Sequence, residues 1–148
     1  MALDVWSDEV AIARAVDEVT AFAFDPANDP AWIGGIREAH LQGPRPVRAG
    51  SRVKRVARFL GQRIVYVMDV VELSDGRMRM HAVEAPFPMD VTYEFTPAGV
   101  RTNARIRVQG DPGGYYRLAG PLLPGMVRRS VTGDLRRLKR LVESKRPR

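Results

Sequence analysis

The feature that most constrains this chain is a change of hydrophobic period. From residue 51 to residue 109 apolar and polar residues alternate, whereas from Val127 to Val142 the apolar residues recur at helical spacing. A period of two sends successive side chains to opposite faces of a sheet; a period near 3.6 stacks them along one side of a helix. In residues 51–60, Val53, Arg55, Ala57 and Phe59 share one face, and Arg52, Lys54, Val56 and Arg58 share the other. Residues 63–73 are apolar on both faces, with Ile64, Tyr66, Met68 and Val70 against Val65, Val67 and Val71. In residues 77–84, Met78, Met80 and Ala82 oppose Arg77, Arg79 and His81. Met89, Val91, Tyr93 and Phe95 oppose Asp90, Thr92, Glu94 and Thr96; Thr102, Ala104, Ile106 and Val108 oppose Arg101, Asn103, Arg105 and Arg107. Such alternation marks an antiparallel sheet with one wet face. Asp75-Gly76 is a hairpin signal between two of the strands.

Val127, Val131, Leu135, Leu138 and Val142 predict a helix from about Gly125 to Ser144. Its length would be roughly 30 Å, enough to cross a sheet. Pro121 and Pro124 make the segment before it either a separate turn or a kinked extension. At the other end, residues 3–13 predict a first strand, with Ala11 and Ala13 on the face of Val5. Val16, Val19, Phe22 and Ala23 then follow helical spacing, and Pro26 stops that helix. A second short helix is expected over about 27–34, ended by Gly34-Gly35, and a short strand over 36–42. The expectation is an α+β fold in one domain, 1–148: about seven strands, two short helices after the first strand, and a long C-terminal helix over the sheet. Residues 144–148 would fray as a basic tail.

A curved sheet under a long helix encloses an apolar space, which points to a small hydrophobic ligand. Composition narrows the alternatives. There is no cysteine, hence no disulfide and no thiolate metal site. His40 and His81 offer no metal-ligand spacing, and nucleotide-binding glycine motifs are absent, so no cofactor is expected. Met1 to Arg14 carries Asp4, Asp8 and Glu9 and does not read as a secretory signal, which makes the cytoplasm the default location. The net charge is +7, and from Met126 to Arg148 nine Lys/Arg face only Asp134 and Glu143, an excess equal to the whole. A basic helix of this kind can meet nucleic acid or an anionic membrane, although a solvated face is the more ordinary outcome. Monomer and homodimer are both open.

Three stretches resemble a known family. They are the run Val19-Thr-Ala-Phe-Ala-Phe-Asp-Pro-Ala-Asn-Asp-Pro-Ala-Trp32, the strand end Val70-Val-Glu-Leu73, and the terminal helix from Leu122 through Asp134 to Leu141. Together the chain resembles the polyketide cyclase/dehydrase and lipid-transport proteins of the START-like (SRPBCC) superfamily. One departure is Ala15-Val16, where that family often has a small residue and proline. The resemblance implies the helix-grip fold and a cavity between the sheet and the last helix. It implies little about activity, because fold does not fix function.

Several residues carry candidate chemistry. Arg55 lies on an apolar register, where an unpaired charge is costly; it can hold a ligand carboxylate or an enolate oxygen. Tyr66 and Tyr93 sit on apolar registers and need partners for their hydroxyls. Glu84 ends its strand beside Pro86, where a bulge would turn it inward and burial would suit it to proton transfer. His81 falls on the polar register. Trp32, Phe22 and Phe24 lie near the loop that would cap one cavity end, and Tyr115 and Tyr116 near its mouth. Met68, Met78, Met80 and Met89 would give a soft wall. The expected ligand set is Trp32, Arg55, Tyr66, Met78, Met80, Met89, Val91, Tyr93, Leu122, Met126 and Val127. Three functions follow in order: binding of a lipid, polyketide or aromatic metabolite; cyclase, aromatase or dehydratase chemistry through Arg55 with Tyr93 or Glu84; and an interaction role for the basic helix.

Overall fold

A computed structural model describes residues 3–59, 61–113 and 117–145. The strands are β1 (Leu3–Trp6), β2 (Val10–Ile12), β3 (Ile36–Gln42), β4 (Arg52–Phe59), β5 (Gln62–Ser74), β6 (Arg77–Glu84), β7 (Met89–Ala98) and β8 (Arg101–Gly110). The helices are α1 (Val16–Ala23), α2 (Asp29–Trp32) and α3 (Leu123–Glu143). All strands join one antiparallel sheet in the order β1-β8-β7-β6-β5-β4-β3, with β2 also paired to β8.

The predicted first strand is two strands, which makes eight rather than seven. Trp6 pairs with Arg107 and Val10 with Ala104, so four steps on one strand oppose three on the other. The extra residue is a bulge. Ser7 fills the gap: its N–H donates to the Ile106 carbonyl at 2.7 Å and its Oγ accepts the Ile106 N–H at 2.9 Å. The bulge reverses the inward parity. Val5 and Ser7 are buried before it, Val10 and Ile12 after it, so Ala11 faces outward and does not share the face of Val5. The second helix is also shorter than expected, because Pro26–Asn28 forms a 3₁₀ turn before α2. Pro121 belongs to a separate 3₁₀ turn, Arg117–Leu122, and Pro124 sits in the first turn of α3, where its missing N–H costs nothing.

Two more bulges interrupt the pairing of β5 with β6. The pairing skips Val83 on β6 and Val71 on β5, and both valines are exposed. Bulges increase local twist and bend the strand, and here they curl the sheet around α3. The outer face is covered by cross-strand ion pairs: Arg77 with Glu72 and Glu94, Arg79 with Asp90, Arg105 with Glu94, and Arg107 with Asp4. Trp6 lies under the Arg105 guanidinium at 4.3 Å. On the inner face Ile12, Val53, Met68, Val70, Met80, Phe95 and Ile106 share one buried core with Leu135, Leu138 and Val142 of α3.

Both chain ends are tied together. Thr132 Oγ1 accepts the Asp8 N–H at 2.9 Å, and Glu143 accepts the Ala13 N–H at 2.7 Å. Arg14 donates to the carbonyls of Glu143 and Lys145. No helix among the described residues is long and apolar enough to cross a membrane.

Candidate functional site

Between the sheet and α3 lies a cavity of about 190 Å³. Its floor includes Ala57, Ile64, Met89, Val91 and Ile106; its roof is the α3 face of Leu123, Val127, Ser130, Val131 and Asp134. Pro86 and Phe87 of the β6–β7 connection line one side. The wall is mostly apolar, and five elements bring polar groups together at one end.

Arg55 comes from the inward register of β4, with Val53 and Ala57, and is buried. It faces Asp29 in the first turn of α2, also buried. The Asp29 Oδ2 accepts from Arg55 Nη2 at 2.8 Å and Nε at 3.0 Å. Tyr66 of β5 stands opposite Arg55 in the ladder, and Tyr93 of β7 closes the group, so that both phenols lie within electrostatic reach of the guanidinium. Burial opposes the Arg55 charge, but Asp29 and the two tyrosines outweigh it and hold its pKa well above the usual value. Burial raises the Asp29 carboxyl, with Arg55 partly offsetting it. Burial also pushes the Tyr93 phenol up to about 12, and Tyr66 in the same direction. Both phenols therefore remain protonated at neutral pH, as hydrogen-bond donors rather than bases.

Asp134 completes the polar end from above. Its Oδ1 accepts the Gly34 N–H at 2.9 Å and Arg137 Nη1 at 3.2 Å. Arg137 also donates to the Trp32 carbonyl, so the α2–β3 corner is fastened to α3. Burial raises the Asp134 carboxyl, and these partners pull it back only in part.

Of the expected ligand residues, Arg55, Tyr66, Met89, Val91, Tyr93 and Val127 line the cavity. Trp32 is buried behind the wall, edge-on to Tyr93 at 5.7 Å. Met78 and Met80 face inward as expected but pack in the core away from the cavity, as does Met68, so the methionine wall reduces to Met89. Leu122 precedes α3 and is 71% exposed, and Met126 stands half-buried off the cavity wall. Glu84 does not turn inward: the bulge exposes it on the outer face opposite Val67, beside Lys54 in a separate groove. His81 pairs with Asp90 on that outer face. Phe24 packs on Phe95, and Phe22 carries Lys145 over its ring. Tyr115 and Tyr116 lie outside the described residues. On the basic helix, Arg128 pairs with Asp8, Arg137 with Asp134 and Lys139 with Glu143. Among the described residues no three His, Cys, Asp or Glu side chains converge as a metal site.

Two participants were not anticipated, Asp29 and Asp134. Asp134 had a readable signal. It falls three residues after Val131 and one before Leu135, on the apolar stripe of the terminal helix. A charge in such a stripe is as anomalous as Arg55 in its strand.

The fold and this cavity define a helix-grip protein. TTHA0849 of Thermus thermophilus is 19% identical, with a TM-score of 0.81 over 95% of this chain and 97% of that one. A START superfamily protein of Mycobacterium smegmatis is 15% identical, TM-score 0.78, over 95% and 97%. The Zhui aromatase/cyclase of a Streptomyces species is 14% identical, TM-score 0.80, over 97% and 94%. No curated protein matches the chain by sequence. The family described as polyketide cyclase/dehydrase and lipid transport matches residues 6–143, and the chain belongs to it.

Proposed function

We infer that this protein binds one small, largely apolar molecule in the cavity under α3. The observation that carries this reading is the pairing of an apolar chamber with a single buried polar end made by Arg55, Tyr66, Tyr93 and Asp134. Apolar burial supplies affinity and a few convergent polar groups set orientation, the usual division of labour in a ligand pocket. Volume limits the choice. A cavity of about 150 Å³ takes benzene, so one of about 190 Å³ takes a single ring with small substituents, or a short acyl chain. A multi-ring polyketide would require the roof to move.

Acid–base turnover of the same ligand is the second reading. Asp134 favours it, as a carboxyl in the cavity wall whose pKa is raised by burial. It takes the proton-transfer role expected of Glu84, while Tyr93 would act as a donor.

Native mass spectrometry of gently purified protein, followed by organic extraction, tests the binding reading. Ethylbenzene titration then measures affinity in wild type and in Val127→Trp, which fills the chamber from the roof. Saturable one-to-one binding that Val127→Trp abolishes, with circular dichroism unchanged, is the expected result. Equal binding by both proteins would place the ligand elsewhere. A related substrate and product in the extract would favour turnover.

A further inference from the structure

Resting on the binding reading, we propose that the cavity selects a neutral hydroxy-carbonyl compound over a carboxylate, and that Asp29, off the cavity wall, sets this preference.

The charges at the polar end cancel. Arg55 is paired with Asp29 through two hydrogen bonds to one oxygen, and both side chains are 4% exposed. Asp134 is paired with Arg137. Tyr66 and Tyr93 are neutral. The remaining charged residue along the wall, Arg58, is exposed on the solvent-facing register of β4. A ligand carboxylate entering this end would give up its hydration without gaining an unspent counter-charge, which is unfavourable in a low-dielectric site. A ketone oxygen needs only a donor, and donors are in surplus. A guanidinium carries five N–H groups, two of which are spent on Asp29. Tyr66 and Tyr93 line the cavity, and each protonated phenol has an O–H to give. The matching acceptor is Asp134, whose described hydrogen bonds both fall on Oδ1; its carboxylate can take a ligand hydroxyl. One acceptor and one donor on a ring-sized apolar body is therefore the complementary ligand.

Asp29 does not line the cavity. Its effect runs through Arg55, so it is a positioning residue with a distinctive signature. Asp29→Asn keeps an oxygen acceptor for Arg55 but leaves the guanidinium charge uncompensated. A carboxylate then becomes the better partner.

The test uses meta-hydroxyacetophenone, its carboxylate counterpart meta-hydroxybenzoate, and ethylbenzene, each titrated calorimetrically at neutral pH. Wild type should bind the ketone about tenfold more tightly than the carboxylate, and Asp29→Asn should reverse the order by a similar factor. A merely structural Asp29 would weaken all three probes together. Equal or tighter binding of the carboxylate by wild type overturns the proposal, and this arm stands even if Asp29→Asn fails to fold. A folded Asp29→Asn that keeps the ketone preference also overturns it. If wild type binds none of the three, the binding reading itself fails.

Discussion

Replacing Arg55 with methionine should be among the most damaging single changes in this protein, while also replacing Asp29 should repair most of the damage. At about 3 Å and an effective dielectric near 20, the pair attracts by on the order of 5 kcal/mol. Removing both ions from water costs several kcal/mol each, which cancels much of that gain. Arg55→Met leaves Asp29 buried without its counter-charge, and broken buried pairs of this kind cost about 3–5 kcal/mol. For a chain of 148 residues that corresponds to a fall in Tm of roughly 10–15 °C. The double variant Asp29→Leu/Arg55→Met removes both charges and should return to within about 1–2 kcal/mol of wild type. The deficit of Arg55→Met should also depend on pH. Burial already raises Asp29, and without the guanidinium it rises further above its unfolded value. A group with a raised folded pKa gives its stability below the unfolded pKa and loses it as pH rises through the folded one. The deficit should thus be small in mild acid and full at neutral pH. Urea denaturation of wild type, Arg55→Met and the double variant at several pH values measures these terms. A deficit below about 1 kcal/mol, no pH dependence, or a double variant as unstable as the single would refute this account.

Three further outcomes are expected. Spectrophotometric titration should find Tyr93 ionising near 12; because its folded pKa lies above the unfolded value near 10, its stabilisation should be lost as pH climbs from 10 through 12, and Tyr93→Phe should lessen that loss. Leu138→Ala, at a fully buried position on the inner face of α3, should cost about 2–5 kcal/mol in chemical denaturation. Gly76→Ala should destabilise, since its Cβ would stand 2.2 Å from the Phe95 carbonyl oxygen, whereas Gly125→Ala in α3 meets nothing within 4 Å and should raise stability by up to about 1 kcal/mol.

The sheet was legible because its alternation carries through β4, β7, β8 and β6 as far as Ala82, where the inward registers of Val53, Met80, Tyr93 and Ile106 are as expected. It failed at the bulges. One surplus residue between Trp6 and Val10 inverts every later parity in that stretch, and no composition signal announces it. The same device at Val83 placed Glu84 outside. In the site, Arg55 and the two tyrosines were visible as polar groups on apolar registers. Asp29 was not, because its partner lies 26 positions away and only the folded chain brings them together. The methionines show the limit of register alone: facing inward does not distinguish a cavity wall from a packed core.

The ties between the two ends of the chain also set an order of events. Asp8 with Thr132 and Ala13 with Glu143 are contacts across 124 and 130 positions. Contacts so distant are slow to close. On the ribosome, the roof has no residues to build it until α3 has left the exit tunnel, so a nascent chain carries an open, apolar trough rather than a chamber. The chamber therefore cannot close before α3 is free to dock. Until then, the unroofed inner face of the sheet depends on rapid docking of α3, or on a chaperone, to stay out of aggregates.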